Sequence, residues 1–261
     1  MKVVDQILTQ AAESRGFLLL RESEIQARIN DAVEKAVEKA VSKDKRTGFF
    51  YSMKACAKNF PNIATVIDIG ASNGMWTEEC LVFYPEAKYL LVEAQQVHKP
   101  SLEQFCLTNK GCQFVLAAAG NTEGHISFRS DDPFGGVASS AGEEGLYVKV
   151  PMVTIDRELE RRNLEGPFLL KFDTHGFETK ILEGCRQMLK QTDVIIMECY
   201  NFHLTSDSLM FYDMCKHLNQ LGFRPVDIFD LMHRPSDDVL WQLEIVFARL
   251  DHPVFSAGHY C

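Results

Sequence analysis

Val66-Ile67-Asp68-Ile69-Gly70-Ala71-Ser72-Asn73-Gly74-Met75-Trp76 reads as the end of a strand, a turn of small residues and the start of a helix. The apolar, β-branched run Ile63–Ile69 lies between Pro61 and Gly70, as a buried strand would. Gly70 and Gly74 let the backbone pass close to a ligand where a Cβ would collide. The helix start is expected to turn unpaired N–H groups toward a ligand carboxylate. Asp68 stands near the strand end, where it could meet a cationic group. Glu93, 25 residues further on, closes a second strand, Leu90-Leu91-Val92-Glu93. An acid there typically accepts hydrogen bonds from a ribose. Asp68, Gly70, Ala71, Ser72, Asn73, Gly74 and Glu93 are therefore the expected contacts of a nucleoside cofactor.

Outward from this loop, strands and helices alternate. Expected strands are Ile63–Ile69, Lys88–Val92, Cys112–Ala118, Phe168–Phe172, Val194–Met197, Phe223–Phe229 and Leu240–Ala248. Helical stretches separate most of them, which predicts an α/β fold with a mainly parallel sheet covered on both faces. Only the polar stretch Asp230–Asp238 joins the last two, so they should form an antiparallel hairpin. The polar, glycine-rich stretch Ser130–Gly145 reads as a loop. Residues 1–60 differ in texture from residues 61–261 and read as a separate helical segment. Ser23-Glu24-Ile25-Gln26 is a capping box, and Ile25, Ile29, Val33, Val37 and Val41 recur on one helical face that Gly48 is expected to end. Arg28 to Lys58 holds eight Lys/Arg against four Asp/Glu, a solvated face or a docking surface for an acidic partner.

The chain has 261 residues, 46% apolar and 24% charged, as in ordinary globular proteins. Its net charge of -9 argues against a whole-surface attraction to nucleic acid. No apolar run approaches the ~18 residues of a membrane helix, and the start lacks a signal-peptide pattern. The eight cysteines include no Cys-x-x-Cys pair and read as reduced thiols of a cytoplasmic protein. No metal site is expected: Asp227, Asp230, Asp237 and Asp238 lie in a polar hairpin without chelating spacing.

A dinucleotide loop would want Gly-x-Gly-x-x-Gly, and position 72 is Ser. The pattern Asp68-x-Gly70-x-x-x-Gly74 instead resembles the first motif of Rossmann-like S-adenosylmethionine methyltransferases. Phe168-Leu169-Leu170-Lys171-Phe172-Asp173, then Gly176-Phe177-Glu178 and Leu182-Glu183-Gly184, resembles the FkbM-type methyltransferases. Val153-Thr154-Ile155-Asp156, Ile196-Met197-Glu198 and Trp241–Phe247 agree with that family, and together the likeness spans about residues 60–250. It implies a Rossmann-like seven-stranded sheet with an antiparallel last strand and S-adenosylmethionine as cofactor. It also implies methyl transfer to a hydroxyl of a sugar, polyketide or other small metabolite. The chain departs from the family at His175, where Glu or Gln is common, and at Glu244, where Asp is frequent. Its third strand ends in Ala117-Ala118-Ala119-Gly120, so backbone groups at Ala118 or Ala119 would have to hold the adenine.

In a parallel sheet, Asp68, Glu93, Asp173 and Glu198, all at carboxyl ends of strands, should converge on one crevice. A hydroxyl acceptor benefits from a general base. Asp173 is the first candidate, although Asp is also a common helix cap; His175 and His203 are the others. Lys171 should pair with a carboxylate, Glu178 or Glu198. Two rival readings are a nicotinamide-dependent oxidoreductase and a catalytically silent binding protein that keeps the cofactor fold.

Overall fold

The structure, a computed structural model, describes residues 48–129, 132, 135–139, 147–256 and 258. The capping box at Ser23, the apolar face up to Val41 and parts of the Ser130–Gly145 stretch lie outside them. By contacts the chain divides into Met1–Thr47 and Gly48–Cys261, and the second unit is described here.

It opens with a helix over residues 48–59, α1. Phe49, Met53, Cys56 and Phe60 recur at helical spacing and are buried. Gly48 is the first described residue and is itself helical; the helix it was expected to end lies outside the described residues. A Cβ there would stand 3.0 Å from Asp230 Oδ1 and 3.6 Å from Phe229 Cβ, so glycine permits a close approach instead.

The elements that follow are β1 (Thr65–Ile69), α2 (Met75–Cys80), β2 (Lys88–Glu93), α3 (Lys99–Thr108), β3 (Cys112–Leu116), β4 (Ala118–Ala119), β5 (Gly124–Arg129), β6 (Val137–Ser139) and β7 (Tyr147–Val153). After these come α4 (Ile155–Arg162), β8 (Phe168–Phe172), α5 (Glu178–Glu183), β9 (Thr192–Tyr200), α6 (Phe211–Gln220), β10 (Phe223–His233) and β11 (Leu240–Arg249). The seven strands expected from the sequence form one sheet in the order β10-β11-β9-β8-β1-β2-β3. Neighbours from β9 to β3 pair parallel, and β11 is antiparallel to both β9 and β10.

Every residue of β1 and β8 is buried, because helices cover both faces of the sheet centre. Alternate residues feed two cores. Ile67, Leu170 and Ile195 pack on one face, and Val66, Leu169 and Ile196 on the other, with α1. From β1 the chain moves to β2, and from β8 it moves the other way to β9. The divergence opens a crevice at their carboxyl ends.

A second sheet, β4-β7-β5-β6, was not expected. β6 falls inside the stretch read as a loop. Ile126, Phe128 and Val150 alternate inward and form a small core with Ala118. Only three residues of β6 pair with β5, which left too short an alternation to find in the sequence.

Candidate active site

A cavity of about 360 Å³ lies at the carboxyl ends of β1, β2, β8 and β9. The second sheet contributes Phe128 and Ala138 to its wall.

One lip is the turn after β1. Gly70 has a φ of 78°, and a Cβ there would sit 1.8 Å from the Asp173 carbonyl oxygen. The glycine therefore lets two strand ends close on each other, rather than making room for a ligand. The N–H groups of Gly70 and Ala71 both donate to the Val92 carbonyl. Ser72 is left-handed at φ 49°, an uncommon state for a residue with a Cβ. Its N–H donates to Glu93 Oε2 at 2.8 Å, and Gln95 N–H donates to Oε1 at 2.6 Å. Burial raises the pKa of Glu93, and these N–H groups work against that rise by stabilising the anion.

Gly70, Ser72, Glu93 and Ala118 line the cavity; Asp68, Ala71, Asn73 and Gly74 do not. Ala71 is buried in the core beside α1. Gly74, at φ 88°, faces Phe105 and Leu91. Asn73 Oδ1 accepts the Met75 N–H at 3.3 Å, so the short α2 has its first donor occupied. One of the N–H groups expected to meet a ligand carboxylate at that helix start is therefore met from within the turn. Asp68 is fully buried and accepts from the Thr77 hydroxyl at 2.6 Å.

The other lip is formed by β8, β9 and the loop after β8. Lys171, 1% exposed, pairs with Asp173 Oδ2 at 2.8 Å and with its register partner Asp68 at 3.6 Å. Neither Glu178 nor Glu198, the partners expected from the sequence, is its ion pair. Burial disfavours the ammonium, but the Asp173, Asp68 and Glu244 carboxylates outweigh it and raise the Lys171 pKa. Asp173 does not cap the next helix. That helix start has no side-chain cap; Glu178 instead ties down the loop before it, accepting from the Thr174 hydroxyl at 2.9 Å and the Gly176 N–H at 2.8 Å. The Asp173 side chain is 38% exposed, so this ion-pair cluster opens into the cavity through it.

His175 and Glu198 complete this lip. His175 Nδ1 lies 3.1 Å from the Gly136 carbonyl, and its Nε2 lies 3.8 Å from Glu198 Oε1. Tyr200 hydroxyl donates to Glu198 Oε1 and Gln242 Nε2 to Oε2. Burial first, then the Asp173 charge, pushes Glu198 up to about 7. Glu198 was legible as a strand-end acid but was not among the catalytic candidates. Tyr200 had no motif to mark it, and Gln242 stood in the closing-strand motif Trp241–Phe247 without a role in the site. His203 does not join the group: it is exposed, lies off the cavity lining, and its Nδ1 is 2.7 Å from the Ser208 carbonyl in its own loop.

A doubly wound sheet with a glycine turn, a held acid at the end of β2 and a polar strand-end cluster across the crevice is a Rossmann-like fold. Residues 68–225 match the methyltransferase FkbM domain, and the chain belongs to that family. Its cofactor is S-adenosylmethionine. No curated protein matches the chain in sequence. Among solved structures, it is similar to 1,6-didemethyltoxoflavin N1-methyltransferase of Burkholderia thailandensis, at 12% identity and TM-score 0.45 over 90% of this chain and 92% of that one. It is also similar to an rRNA methylase of Streptococcus thermophilus, at 11% identity and TM-score 0.45 over 78% and 97%. A third is precorrin-6y C5,15-methyltransferase of Geobacter metallireducens, at 11% identity and TM-score 0.41 over 76% and 86%.

The residues present fit that cofactor. Glu93 is buried with both oxygens oriented by main-chain donors, as an acceptor for a ribose diol requires. The Ala117–Ala119 wall offers main-chain groups and little side-chain bulk where a flat base could lie. Among the described residues, no helix is long and apolar enough to cross a membrane.

Proposed function

We propose that the protein methylates a hydroxyl oxygen of a small metabolite such as a sugar or polyketide, and that Asp173 is the catalytic base. Asp68, Gly70 to Gly74, Glu93 and Ala118 form or support the cofactor seat. When bound, S-adenosylmethionine supplies an electrophilic methyl group on a sulfonium. Glu93 holds the ribose, and the Gly70–Asp173 contact fixes the distance between the two lips. Asp173 would take the proton from the acceptor hydroxyl as the O–CH₃ bond forms and the methyl–sulfur bond breaks, leaving S-adenosylhomocysteine, and Lys171 would hold its carboxylate in place. The observation that carries this reading is the exposed face of Asp173, beside His175 Nε2 and Glu198, at the cavity edge opposite Glu93. Such proton acceptors matter for an alcohol; a neutral amine already presents a lone pair. A cavity of this size suits a cofactor and a small acceptor, and the acidic chain does not favour RNA.

The test is incubation of the full chain with methyl-tritiated S-adenosylmethionine and either hydroxyl-bearing small metabolites or RNA. Label should appear in a small molecule, on oxygen, in a linkage that survives alkali. Label confined to RNA, to nitrogen or to alkali-labile esters would overturn the assignment.

A further inference from the structure

We propose that Asp173, His175 and Glu198 form a site for one divalent cation of the Mg²⁺ or Mn²⁺ class, which would hold the acceptor oxygen at the cavity edge. The role given to the acceptor rests on the O-methylation reading above; the cation site itself does not.

One donor atom from each of the three side chains lies within 4.8 Å of the other two, and all three line the cavity. The His175 ring is already oriented for a ligand. A carbonyl can only accept, so the 3.1 Å contact with Gly136 oxygen puts the proton of the neutral ring on Nδ1 and leaves the lone pair on Nε2. That lone pair faces the Glu198 oxygen at 3.8 Å. Two electron-pair donors so placed call for a proton or a cation between them.

The outer contacts match those that steady metal ligands. Gly136 holds the far nitrogen of His175, Tyr200 and Gln242 hold the two oxygens of Glu198, and Lys171 holds one oxygen of Asp173. The local charge points the same way. Among the described residues, the carboxyl groups of Asp68, Asp173, Glu198 and Glu244 gather around the one ammonium of Lys171, burial raises the pKa of Asp68, Glu198 and Glu244, and Glu244 is the register partner of Glu198. Glu244 Oε2 is buried with no hydrogen-bond donor among the described residues, and Asp68 Oδ1 has the Lys171 ammonium at 3.6 Å. Two carboxylates and one imidazole form a mostly oxygen donor set, suited to Mg²⁺ or Mn²⁺.

The experiment is a titration of the full chain with Mn²⁺, read by the loss of free-ion signal in electron paramagnetic resonance. The expected result is one Mn²⁺ per chain, with affinity falling at least tenfold in each of Asp173→Asn, His175→Gln and Glu198→Gln. His203→Gln, a surface histidine, should bind as the wild type does. Thermal melts and S-adenosylhomocysteine binding identify any variant that has lost its fold, and the wild-type titration stands without the variants. No stoichiometric Mn²⁺ binding by the wild type, or binding that survives all three substitutions in folded protein, would overturn the site. Hydroxyl methylation that proceeds at full rate in excess EDTA would overturn it while leaving the O-methylation reading intact. Bound Mn²⁺ in a protein that labels only nitrogen would do the reverse.

Discussion

The two lips of the cavity are acidic in different ways. On the β1–β2 side, Glu93 is a single carboxylate with both oxygens met by backbone N–H groups. Its surroundings are small and largely main chain. On the β8–β9 side, carboxylates are met by side chains, and they outnumber the buried ammonium between them. A main-chain cradle is fixed once the fold forms, which suits a cofactor that is the same in every turnover. A side-chain cluster short of positive charge keeps its capacity to take up a proton or a cation, which suits the acceptor side.

Gly70 is where the two lips touch, so breaking it should have the largest effect. Gly70→Val puts a Cβ into the Asp173 carbonyl, backbone against backbone, where neither can yield cheaply. The loss should exceed the ~1–3 kcal/mol that left-handed strain alone costs. A thermal melt should show a marked drop, and S-adenosylhomocysteine binding should vanish in calorimetry. Wild-type stability would mean that the lips are not coupled through this contact.

Lys171→Met attacks the ion-pair cluster that joins Asp68 of β1 to Asp173. It leaves Asp68 and Asp173 without their ammonium inside the protein, a change that typically costs about 3–5 kcal/mol. Chemical denaturation should report a loss of that order. A loss below ~1 kcal/mol would show that the cluster is already neutralised by protons.

Asp173→Asn keeps the size of the side chain and, since Glu178 ties down the loop after β8, spares that loop. Turnover should fall by two or more powers of ten, within the range for a lost general base, while cofactor affinity stays close to wild type. Near-normal turnover would move the proton acceptor to His175 or Glu198. Glu93→Ala should do the opposite and act on affinity. Loss of its hydrogen bonds should cost ~1.5–3 kcal/mol of cofactor binding by calorimetry. Unchanged affinity would place the ribose elsewhere.

The β1–β2 lip was readable in the sequence because its requirements are local. A strand, a glycine turn and an acid closing the next strand occupy one continuous stretch, and Gly70, Ser72 and Glu93 do line the cavity. What each residue does there was less accessible. Whether Gly70 makes room for a ligand or for Asp173 depends on β8, about a hundred residues away. Asp68 carries the same motif but points into the Lys171 ion pair, because its register partner on β8 is Lys171.

The β8–β9 lip was only half legible. Asp173, His175 and Glu198 stood at strand ends in the sequence, but Gln242 reaches the site only because β11 inserts beside β9. Gly136 reaches it only because the second sheet folds over the crevice. His203 shows the converse error. It follows β9 closely in sequence, yet its loop turns back on itself through Ser208 and carries the ring away from the cavity lining.

The measurement that bears most directly on this division of labour is a crystal structure of the full chain with S-adenosylhomocysteine. The expected result is a ribose diol on the Glu93 carboxylate, adenine against Ala117–Ala119 and the sulfur directed toward Asp173. A cofactor whose ribose lies away from Glu93, or whose sulfur points away from the β8–β9 lip, would contradict it.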